Sequence, residues 1–419
     1  MRAEGAEDAA ATKERQCRFC ETPLRHTFVD LGTSPLSNSY LQAEELTKME
    51  PFYPLHVYVC SNCFLVQLEE LSSPREIFND YAYFSSFSES WLEHSRVFAQ
   101  MAADRFKLEK NSRVVEIGSN DGYLLRFFNE MGIGVLGIEP AANVAEAARD
   151  QGIETVVRFF DSDLAAELAA EGKGADLLVG NNVLAHIPRI NDLMTGLKRL
   201  LKPNGVISME FPHLLSLIEK NQFDTIYHEH YSYFSLTTAE TIFRKHGLTL
   251  FNAELLDTHG GSLRIYACHE GVFRQTEVIK TLLEKEESRG LKKIETYEAF
   301  GDQVRTAKRS ILKYLIGLKE AGRSIAAYGA PAKGNTLLNY CGIGTDFIDY
   351  TVDLSPHKQG LYLPGSRIPI YGPDKIFETR PDYLLILPWN LKEEIMGQMA
   401  DIRQWGCKFL ILIPEINIY

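Results

Sequence analysis

Two pairs of cysteines near the N-terminus place the strongest constraint on how this chain can fold. Cys17 and Cys20 form one C-x-x-C pair, Cys60 and Cys63 form the other, and 39 residues separate the pairs. Four thiolates in this spacing suit a tetrahedral zinc ion, and four protein ligands leave no open position for catalysis. The alternatives are four buried free thiols or a redox dithiol, but no thioredoxin-like pattern surrounds either pair. The spacing therefore predicts a structural zinc site in a small β-rich module.

Composition and charge limit the class of protein. The chain has 419 residues, 45% hydrophobic and 24% charged, which suits two or three folded domains. The formal net charge of -12 argues against a nucleic-acid binder, because such a protein needs a basic surface to neutralise phosphates. The sequence contains no run of about 18 apolar residues, so we expect no membrane span. The N-terminal stretch lacks the apolar core of a signal peptide, so we expect a cytoplasmic protein.

Apolar runs that alternate with helical stretches predict an α/β fold. Four such runs follow residue 113 and a second alternation starts near residue 324, which favours parallel sheets covered by helices. We expect a disordered tail at 1–15, a zinc-binding module at 16–72, an α/β domain at 73–271, a helical connector at 272–322 and a second α/β domain at 323–419.

A strand followed by a tight glycine turn predicts a nucleotide-type site in the first α/β domain. In the string VVEIGSNDG, Gly118 and Gly122 bracket the turn, Glu116 precedes it and Asn120 lies within it. The G-x-x-x-G spacing fails the dinucleotide fingerprint. Glu139 ends the next predicted strand, where a carboxylate can accept hydrogen bonds from a ribose diol. The pattern favours S-adenosylmethionine over NAD, because a sulfonium cofactor has no pyrophosphate; the alternative is a turn without a ligand.

The densest cluster of titratable side chains lies in the string FDTIYHEHY. Tyr227, His228, Glu229 and His230 follow one another there. Histidine titrates near neutrality and suits proton abstraction, while a neighbouring carboxylate and phenol can orient it or stabilise developing charge. Zincin motifs need histidines at i and i+4, and these are two apart, so a catalytic metal is not indicated.

Further polar residues follow a predicted strand at the edge where open α/β sheets bind ligands. Asn181, Asn182 and His186 come after the run DLLVG, and we take the two asparagines as candidate cofactor contacts. For His186 alone, a satisfied core or surface histidine is as good an interpretation as a catalytic one. Tyr81 precedes a helix, where packing is the commoner role of an aromatic residue.

A second strand, turn and helix start predict an anion site in the last domain. Tyr328, Gly329, Lys333 and Asn335 lie in the string YGAPAKGN, and Asp353 ends the following strand. Backbone N–H groups at a helix start together with one lysine can hold phosphates, and Asp353 can bind a sugar hydroxyl. The string is not a Walker A motif, so a purely structural Rossmann-like domain is the alternative.

The order of motifs along nearly the whole chain resembles that of the nucleotide-sugar C-methyltransferases of deoxysugar biosynthesis. This resemblance rests on the double C-x-x-C, VDLGTSPLSNSYL, DYAYFSSFSESW, EIGSNDGYLL, GNNVLAHIP, FDTIYHEHYSYFS, YGAPAKGNTLLNYCGIG and LILIPEINI. It implies three parts: a zinc-binding module, a class I S-adenosylmethionine methyltransferase domain of Rossmann-like fold, and a C-terminal Rossmann-like domain that binds the sugar nucleotide. We also expect a monomer whose partner is a small molecule rather than a nucleic acid or a membrane.

The same resemblance implies a reaction and residue roles. The family methylates C-3 of a 4-keto sugar, with His230 as the base that removes the C-3 proton. Glu229, Tyr227, His186 and Tyr81 then correspond to the other active-site residues, and His186 or Tyr81 would stabilise the enolate. Two other interpretations stay open: methyl transfer to a sugar hydroxyl or another acceptor, and a non-catalytic protein that binds sugar nucleotides.

Overall fold

The computed structural model describes residues 14–71 and 84–419. Its strands are β1 (His26–Ser34), β2 (Tyr53–Val59), β3 (Val66–Leu68), β4 (Arg113–Ile117), β5 (Gly134–Ile138), β6 (Thr155–Val156), β7 (Ala175–Asn181), β8 (Leu201–Pro212), β9 (Ser232–Tyr233), β10 (Leu248–Leu256), β11 (Ser262–His269), β12 (Ile325–Tyr328), β13 (Thr351–Val352), β14 (Ile370–Tyr371), β15 (Tyr383–Ile386), β16 (Lys408–Ile411) and β17 (Asn417–Ile418).

Helices cover the sheets and connect them. They are α1 (Glu89–Phe106), α2 (Leu125–Glu130), α3 (Ala142–Asp150), α4 (Ser162–Ala170), α5 (Ile190–Leu200), α6 (Leu214–Glu219), α7 (Leu236–Lys245), α8 (Glu277–Ser288), α9 (Ile294–Glu298), α10 (Phe300–Glu320), α11 (Ala332–Cys341), α12 (Asp374–Thr379) and α13 (Lys392–Gln398). None of these described helices is long and apolar enough to cross a membrane.

The central sheet has seven strands in the order β10-β11-β8-β7-β4-β5-β6. The five strands from β8 to β6 pair in parallel, whereas β11 runs antiparallel to both β8 and β10. Strand β7 is buried almost throughout, as expected for a parallel strand covered on both faces. Apolar residues of α5 at helical spacing, among them Ile190, Leu193 and Leu197, pack on this sheet. The expected α/β fold with a parallel sheet is confirmed.

The C-terminal sheet has six strands in the order β14-β13-β12-β15-β16-β17. All pairs are parallel except the last, where β17 runs antiparallel to β16. Helix α11 starts directly after β12 and its connecting turn, so its N-terminus lies at the carboxyl edge of this sheet. That edge faces the carboxyl edge of the central sheet.

The N-terminal sheet has four antiparallel strands in the order β1-β2-β3-β9. Its last strand comes from far along the chain, because Val66 of β3 pairs with Tyr233 of β9. Helix α10 packs on the first strand, with the rings of Phe28 and Phe300 stacked 4.5 Å apart. The small N-terminal unit is therefore joined both to the central part of the chain and to the helices that precede the C-terminal sheet.

Candidate active site

A cavity of about 670 Å³ lies between the carboxyl edges of the central and C-terminal sheets. Its walls combine the ends of β4, β5 and β7 with the segment 225–230 and the loops 331–333 and 388–391. This volume lies within the usual range for a small-molecule site, roughly 300–1,000 Å³. The cavity is therefore of the size expected for a small-molecule binding site.

The turn after β4 packs closely against Val183 at one end of the cavity. Gly118 has a φ of 65°, and a Cβ atom there would lie 2.6 Å from Val183 Cγ2. Both residues line the cavity. Only glycine allows this backbone conformation and this close approach at the same time. The turn therefore requires glycine at this position of the cavity wall.

Glu139 stands at the end of β5 with its carboxylate fixed in the cavity wall. Oε2 accepts a hydrogen bond from the Asn120 backbone N–H at 3.0 Å, and Oε1 accepts one from Ala141 at 2.9 Å. Burial raises the pKa of Glu139, while these two backbone donors oppose the rise. Each oxygen keeps further acceptor capacity, which suits a pair of ribose hydroxyls.

Two predicted donor-site residues do not line this cavity. Glu116 is fully buried within β4, whereas Tyr123 lines the cavity. Burial raises the pKa of Glu116 well above its ordinary value, although a hydrogen bond from Tyr123 partly opposes this rise. Gly122 turns instead toward Ile153, which a Cβ atom would approach to 3.1 Å. Both residues support the donor-side wall, and their assignment as cofactor contacts stays a prediction.

The segment that carries Tyr227, Glu229 and His230 is fixed by the N-terminal sheet. The next residue, Tyr231, accepts a hydrogen bond from the Leu68 N–H at 3.0 Å through its carbonyl, and β9 follows it and pairs with β3. All three predicted catalytic residues line the cavity. Their neighbour His228 does not, because it turns toward the N-terminal unit, where its Nε2 contacts the Pro54 carbonyl at 3.2 Å.

His230 has one ring nitrogen set as a proton acceptor. Its Nδ1 lies 2.9 Å from the Thr225 carbonyl oxygen, which can only accept, so Nδ1 carries the hydrogen. Nε2 then accepts a hydrogen bond from the Tyr227 hydroxyl at 2.8 Å. Burial lowers the pKa of His230 well below its ordinary value, and the nearby His186 adds to this effect. A neutral imidazole is the form that a general base requires.

His186 and Glu229 complete the cluster around His230. The His186 and His230 rings meet edge to face at 4.7 Å between centroids. Burial lowers the pKa of His186 to about 4, partly opposed by a hydrogen bond to the Glu229 backbone. Burial raises the pKa of the Glu229 carboxyl to about 7, although Asn38 Nδ2 donates a hydrogen bond to its Oε1 at 2.6 Å. Tyr81, the remaining predicted catalytic residue, lies outside the residues that the structure describes.

Lys333 brings a cation into the cavity from the first turn of α11. Its ammonium group donates a hydrogen bond to Asn390 Oδ1 at 2.6 Å and lies 4.7 Å from the centre of the Trp389 ring. Burial lowers its pKa, and Asp224 opposes that shift. Asp224 also accepts a hydrogen bond from Trp389 Nε1 at 2.6 Å, which ties the C-terminal sheet to the central part of the chain. Lys333 is thus a positive group held at the cavity surface.

The other predicted substrate residues lie behind this surface rather than on it. Asp353 accepts a hydrogen bond from the Ala330 N–H at 2.7 Å and pairs with Lys358 at 3.7 Å. Gly329 packs against a proline, which a Cβ atom would approach to 2.5 Å. Tyr328 donates to a glutamine side chain at 2.9 Å, and Asn335 is buried. None of these four lines the cavity, so their role in binding stays a prediction.

Sequence reasoning missed several residues that line the cavity, among them Asn38, His259 and Lys358. Asn38 lies in the string VDLGTSPLSNSYL, which contributed to the family resemblance but carried no chemical role, and Lys358 lies in a segment without a recognised motif. Only the folded chain brings both residues to the cavity. His259 lies in the string THGG, whose two glycines after a histidine were a usable sign of an unusual loop. Its ring accepts a hydrogen bond from Asn182 Nδ2 at 3.1 Å.

The four cysteines of the two C-x-x-C pairs converge on one point of the N-terminal unit. Their sulfur atoms all lie within 4.8 Å of one another, with separations of 3.6 Å for Cys17 and Cys63 and 3.5 Å for Cys20 and Cys60. Ligands at about 2.3 Å from a tetrahedral zinc would lie about 3.8 Å apart, so the set fits this ion. Gln67 Nε2 adds a hydrogen bond to the Cys17 sulfur at 3.2 Å.

Comparison with known proteins covers the same three parts. The family model described as "Putative zinc binding domain" matches residues 17–78, a methyltransferase domain matches 91–252, and a C-methyltransferase C-terminal domain matches 257–414. C-methyltransferase NovU of Streptomyces niveus is 36% identical over 404 residues, which are 96% of either chain.

Other proteins match smaller parts of the chain. A ubiquinone biosynthesis O-methyltransferase of Chelativorans sp. (strain BNC1) is 27% identical over 96 residues, which are 23% of this chain and 38% of that protein. Among solved structures, a magnesium protoporphyrin IX methyltransferase from Synechocystis PCC 6803 matches with a TM-score of 0.35 and 16% identity, covering 47% of this chain and 92% of that one.

Proposed function

From the premise that the chain belongs to the C-methyltransferase family and is an S-adenosylmethionine-dependent enzyme with a zinc-binding domain, we propose that it methylates C-3 of a nucleotide-linked 4-keto deoxysugar. The observation that carries the proposal is the neutral His230 in the cavity wall, with Nε2 as its acceptor nitrogen. A carbon next to a ketone has an acidified C–H bond, which a base of this kind can break. A hydroxyl acceptor would not need the ketone.

The first step is proton removal by His230. The C-3–H bond breaks, its electron pair moves into the enolate, and the proton goes to Nε2. The Thr225 carbonyl holds the Nδ1 hydrogen throughout, so the resulting imidazolium has a fixed partner. When no sugar is bound, the Tyr227 hydroxyl donates a hydrogen bond to Nε2 of His230. In the proposed reaction this hydroxyl moves away so that Nε2 can reach the C-3 proton of the substrate.

The enolate oxygen needs a hydrogen-bond donor, and Glu229 is the best candidate among the described residues. His186 already uses one ring nitrogen on the Glu229 backbone, so its neutral form has an unprotonated second nitrogen. The Glu229 carboxyl has a pKa of about 7 and is therefore substantially protonated at neutral pH. Because Asn38 donates to Oε1, the proton belongs on Oε2, where it can be given to an oxyanion.

The second step is carbon–carbon bond formation. Bound S-adenosylmethionine supplies the methyl group: the nucleophilic carbon forms the new bond as the carbon–sulfur bond breaks and its electron pair returns to sulfur. The residues of the donor side, above all Glu139 and the turn at Gly118, hold the two reactants in line. Orientation of this kind contributes more here than covalent chemistry by the protein.

The nucleotide part of the acceptor is assigned to the C-terminal side of the cavity. Lys333 offers a positive charge next to the start of α11, where backbone N–H groups also point outward. The aromatic face of Trp389 beneath the ammonium group keeps the side chain extended. These features support contact with the diphosphate of a sugar nucleotide.

The test is incubation with S-adenosylmethionine and a panel of nucleotide sugars, with and without a 4-keto group, followed by mass spectrometry and NMR. Methylated product only from 4-keto sugars, with the new carbon at C-3, supports the proposal. A methyl group at C-5, the other carbon next to the ketone, would overturn the site of methylation. An O-methyl product, or donor binding without turnover on any sugar, would overturn the reaction itself.

A further inference from the structure

The loop between β10 and β11 holds a histidine in an uncommon backbone conformation. His259 has φ 52° and ψ 22°, in the left-handed region that non-glycine residues rarely adopt. The neighbouring Gly260 packs so closely on Trp389 that a Cβ atom would lie 2.3 Å from the ring. Thr258 anchors the other side by donating a hydrogen bond to Glu210 at 2.9 Å. The surroundings thus impose the conformation of His259, which is typical of functional sites.

His259 fixes the orientation of a side-chain amide in the cavity wall. Asn182 Nδ2 lies 3.1 Å from His259 Nε2, and an amide nitrogen can only donate, so Nε2 is the acceptor. Burial lowers the pKa of His259 to about 4, which keeps this nitrogen unprotonated at neutral pH. The ring also packs on Trp91 at 5.1 Å between centroids. The side-chain nitrogen of Asn182 therefore donates its hydrogen bond to His259.

This arrangement leaves the amide oxygen of Asn182 as the group available to a ligand. Asn182 Oδ1 is a buried atom and has no hydrogen-bond partner among the residues that the structure describes. A buried carbonyl oxygen without a partner is costly, typically about 1–3 kcal/mol, unless a ligand supplies the donor. Both Asn182 and His259 line the cavity.

The position of Asn182 along the sheet edge indicates which ligand group it meets. Asn182 follows β7, and Glu139 ends β5, with β4 between them. Neighbouring strands are about 4.8 Å apart, so the two residues lie roughly 10 Å apart across the edge. If Glu139 holds the ribose of the methyl donor, the methionine tail extends past the Gly118 turn toward β7. The tail ends in an ammonium group, which is a strong hydrogen-bond donor.

We propose that His259 is a positioning residue for the methyl donor: it orients the Asn182 amide so that Oδ1 accepts a hydrogen bond from the ammonium group of S-adenosylmethionine. The inference rests on the proposed donor-site residues but not on the identity of the sugar. It can therefore be tested by donor binding alone, and failure of the sugar assay would leave it standing.

The test compares His259→Met with His259→Gln, two unbranched side chains of similar length of which only glutamine keeps an acceptor. Calorimetry measures the dissociation constants of S-adenosylmethionine and of 5′-methylthioadenosine, which lacks the amino-acid tail. We expect His259→Met to weaken S-adenosylmethionine binding on the order of tenfold or more, as for a hydrogen bond to a charged group. His259→Gln should restore most of this loss, and 5′-methylthioadenosine binding should change in neither variant.

A double variant tests whether His259 acts by orienting the Asn182 amide, because an aspartate at position 182 needs no such orientation. A carboxylate offers acceptors at both ends, so Asn182→Asp combined with His259→Met should recover S-adenosylmethionine affinity. Unchanged affinity in His259→Met would overturn the proposal, as would an equal loss for both ligands in a folded protein, which indicates a merely structural role. If His259→Met does not fold, Asn182→Ala in the wild-type background decides: an undiminished preference for S-adenosylmethionine over 5′-methylthioadenosine overturns the assignment.

Discussion

Three histidines line the same cavity, and desolvation of their rings lowers the pKa of each, which keeps all three uncharged at neutral pH. The pKa values of His186 and His259 fall to about 4, and that of His230 is also lowered well below its ordinary value. A proton that reaches His230 therefore creates a cation where the surroundings disfavour one. The negative charge that develops on the substrate at the same moment offsets this cost, which couples proton removal to enolate formation.

At the scale of single residues, the first prediction concerns His230. His230→Ala should lose turnover on the order of 10²- to 10⁴-fold, because a general base contributes about that much. Both ligands should still bind, since the change leaves Glu139 and Lys333 in place. In D₂O with S-adenosylhomocysteine, the wild-type enzyme should catalyse exchange of the C-3 hydrogen of the sugar substrate for deuterium. The His230→Ala variant should not catalyse this exchange. NMR of the recovered sugar measures this exchange.

Glu139→Ala is the matched control for that experiment. It should weaken binding of the methyl donor, seen by calorimetry, yet keep the deuterium exchange, because the base is intact. Exchange at the wild-type rate in His230→Ala would exclude His230 as the base.

The second prediction concerns the pH dependence of Glu229. Its pKa is raised to about 7, and the protonated carboxyl is the proposed donor to the enolate. Turnover should therefore fall as pH rises above about 7, approaching tenfold per pH unit, while the neutral histidines keep activity level on the acidic side. Initial rates across pH 6 to 9, at saturating concentrations of both substrates, measure this profile.

Substitutions at Glu229 distinguish the effect of its titration on turnover from the effect of the hydrogen bond that it donates. Glu229→Gln keeps an N–H donor that does not titrate, so its profile should lose the alkaline fall. Glu229→Ala has no donor and should lose on the order of 10²- to 10³-fold in turnover at pH 7. If turnover of Glu229→Gln fell at alkaline pH as it does in the wild type, a group other than Glu229 would cause that fall.

At the scale of elements, the turn after β4 shows why a glycine is required at one position. Gly118→Ala combines a positive φ with a contact of 2.6 Å to Val183, whereas Gly152→Ala has a φ of 80° and no atom within 4 Å. We expect Gly152→Ala to cost about 1 kcal/mol of unfolding free energy from backbone strain alone. Gly118→Ala should cost more and should weaken binding of S-adenosylmethionine at least tenfold, because Val183 must shift into the cavity.

Denaturant unfolding and calorimetry on the two glycine variants measure these effects side by side. Equal losses of stability, with unchanged donor binding in both, would show that the turn does not contact the donor.

The same elements show how far the sequence could predict the site. The G-x-x-x-G turn and the run IYHEH are local patterns, so the cavity positions of Gly118, Tyr227 and His230 could be anticipated from a few neighbouring residues. Glu116 could not be judged in this way, because side chains in a strand alternate between faces and only the packed helix layer decides which face opens to the cavity. Asn38 carries no local sign of its contact with Glu229, which lies 191 residues away.

At the scale of the whole molecule, the four-cysteine cluster and the proposed catalytic segment 227–230 both adjoin the N-terminal sheet. Strand β3 pairs with β9, and Gln67 of β3 donates a hydrogen bond to the zinc ligand Cys17. Loss of the metal should therefore disturb residues 227–230 as well as the N-terminal unit. The donor side of the cavity is built from the central sheet and should be affected much less.

Cys60→Ser tests this coupling. Elemental analysis should show about one zinc per wild-type chain and markedly less in the variant. We expect the variant to lose about 3–5 kcal/mol of stability and to lose turnover more strongly than affinity for S-adenosylmethionine. Cys407→Ser, at a buried thiol outside the cluster, is the control and should keep its zinc. A metal-free protein with wild-type turnover would contradict the prediction.

The borrowed strand of the N-terminal sheet also has a consequence for synthesis on the ribosome. All four cysteines of the cluster have been synthesised once residue 63 is made, but β9 follows only at residues 232–233. During that interval β3 presents an unpaired edge, the kind of surface on which nascent chains associate wrongly. The metal is available to hold the three early strands together while the edge waits for its partner, so zinc supply during translation bears on the yield of correctly assembled enzyme.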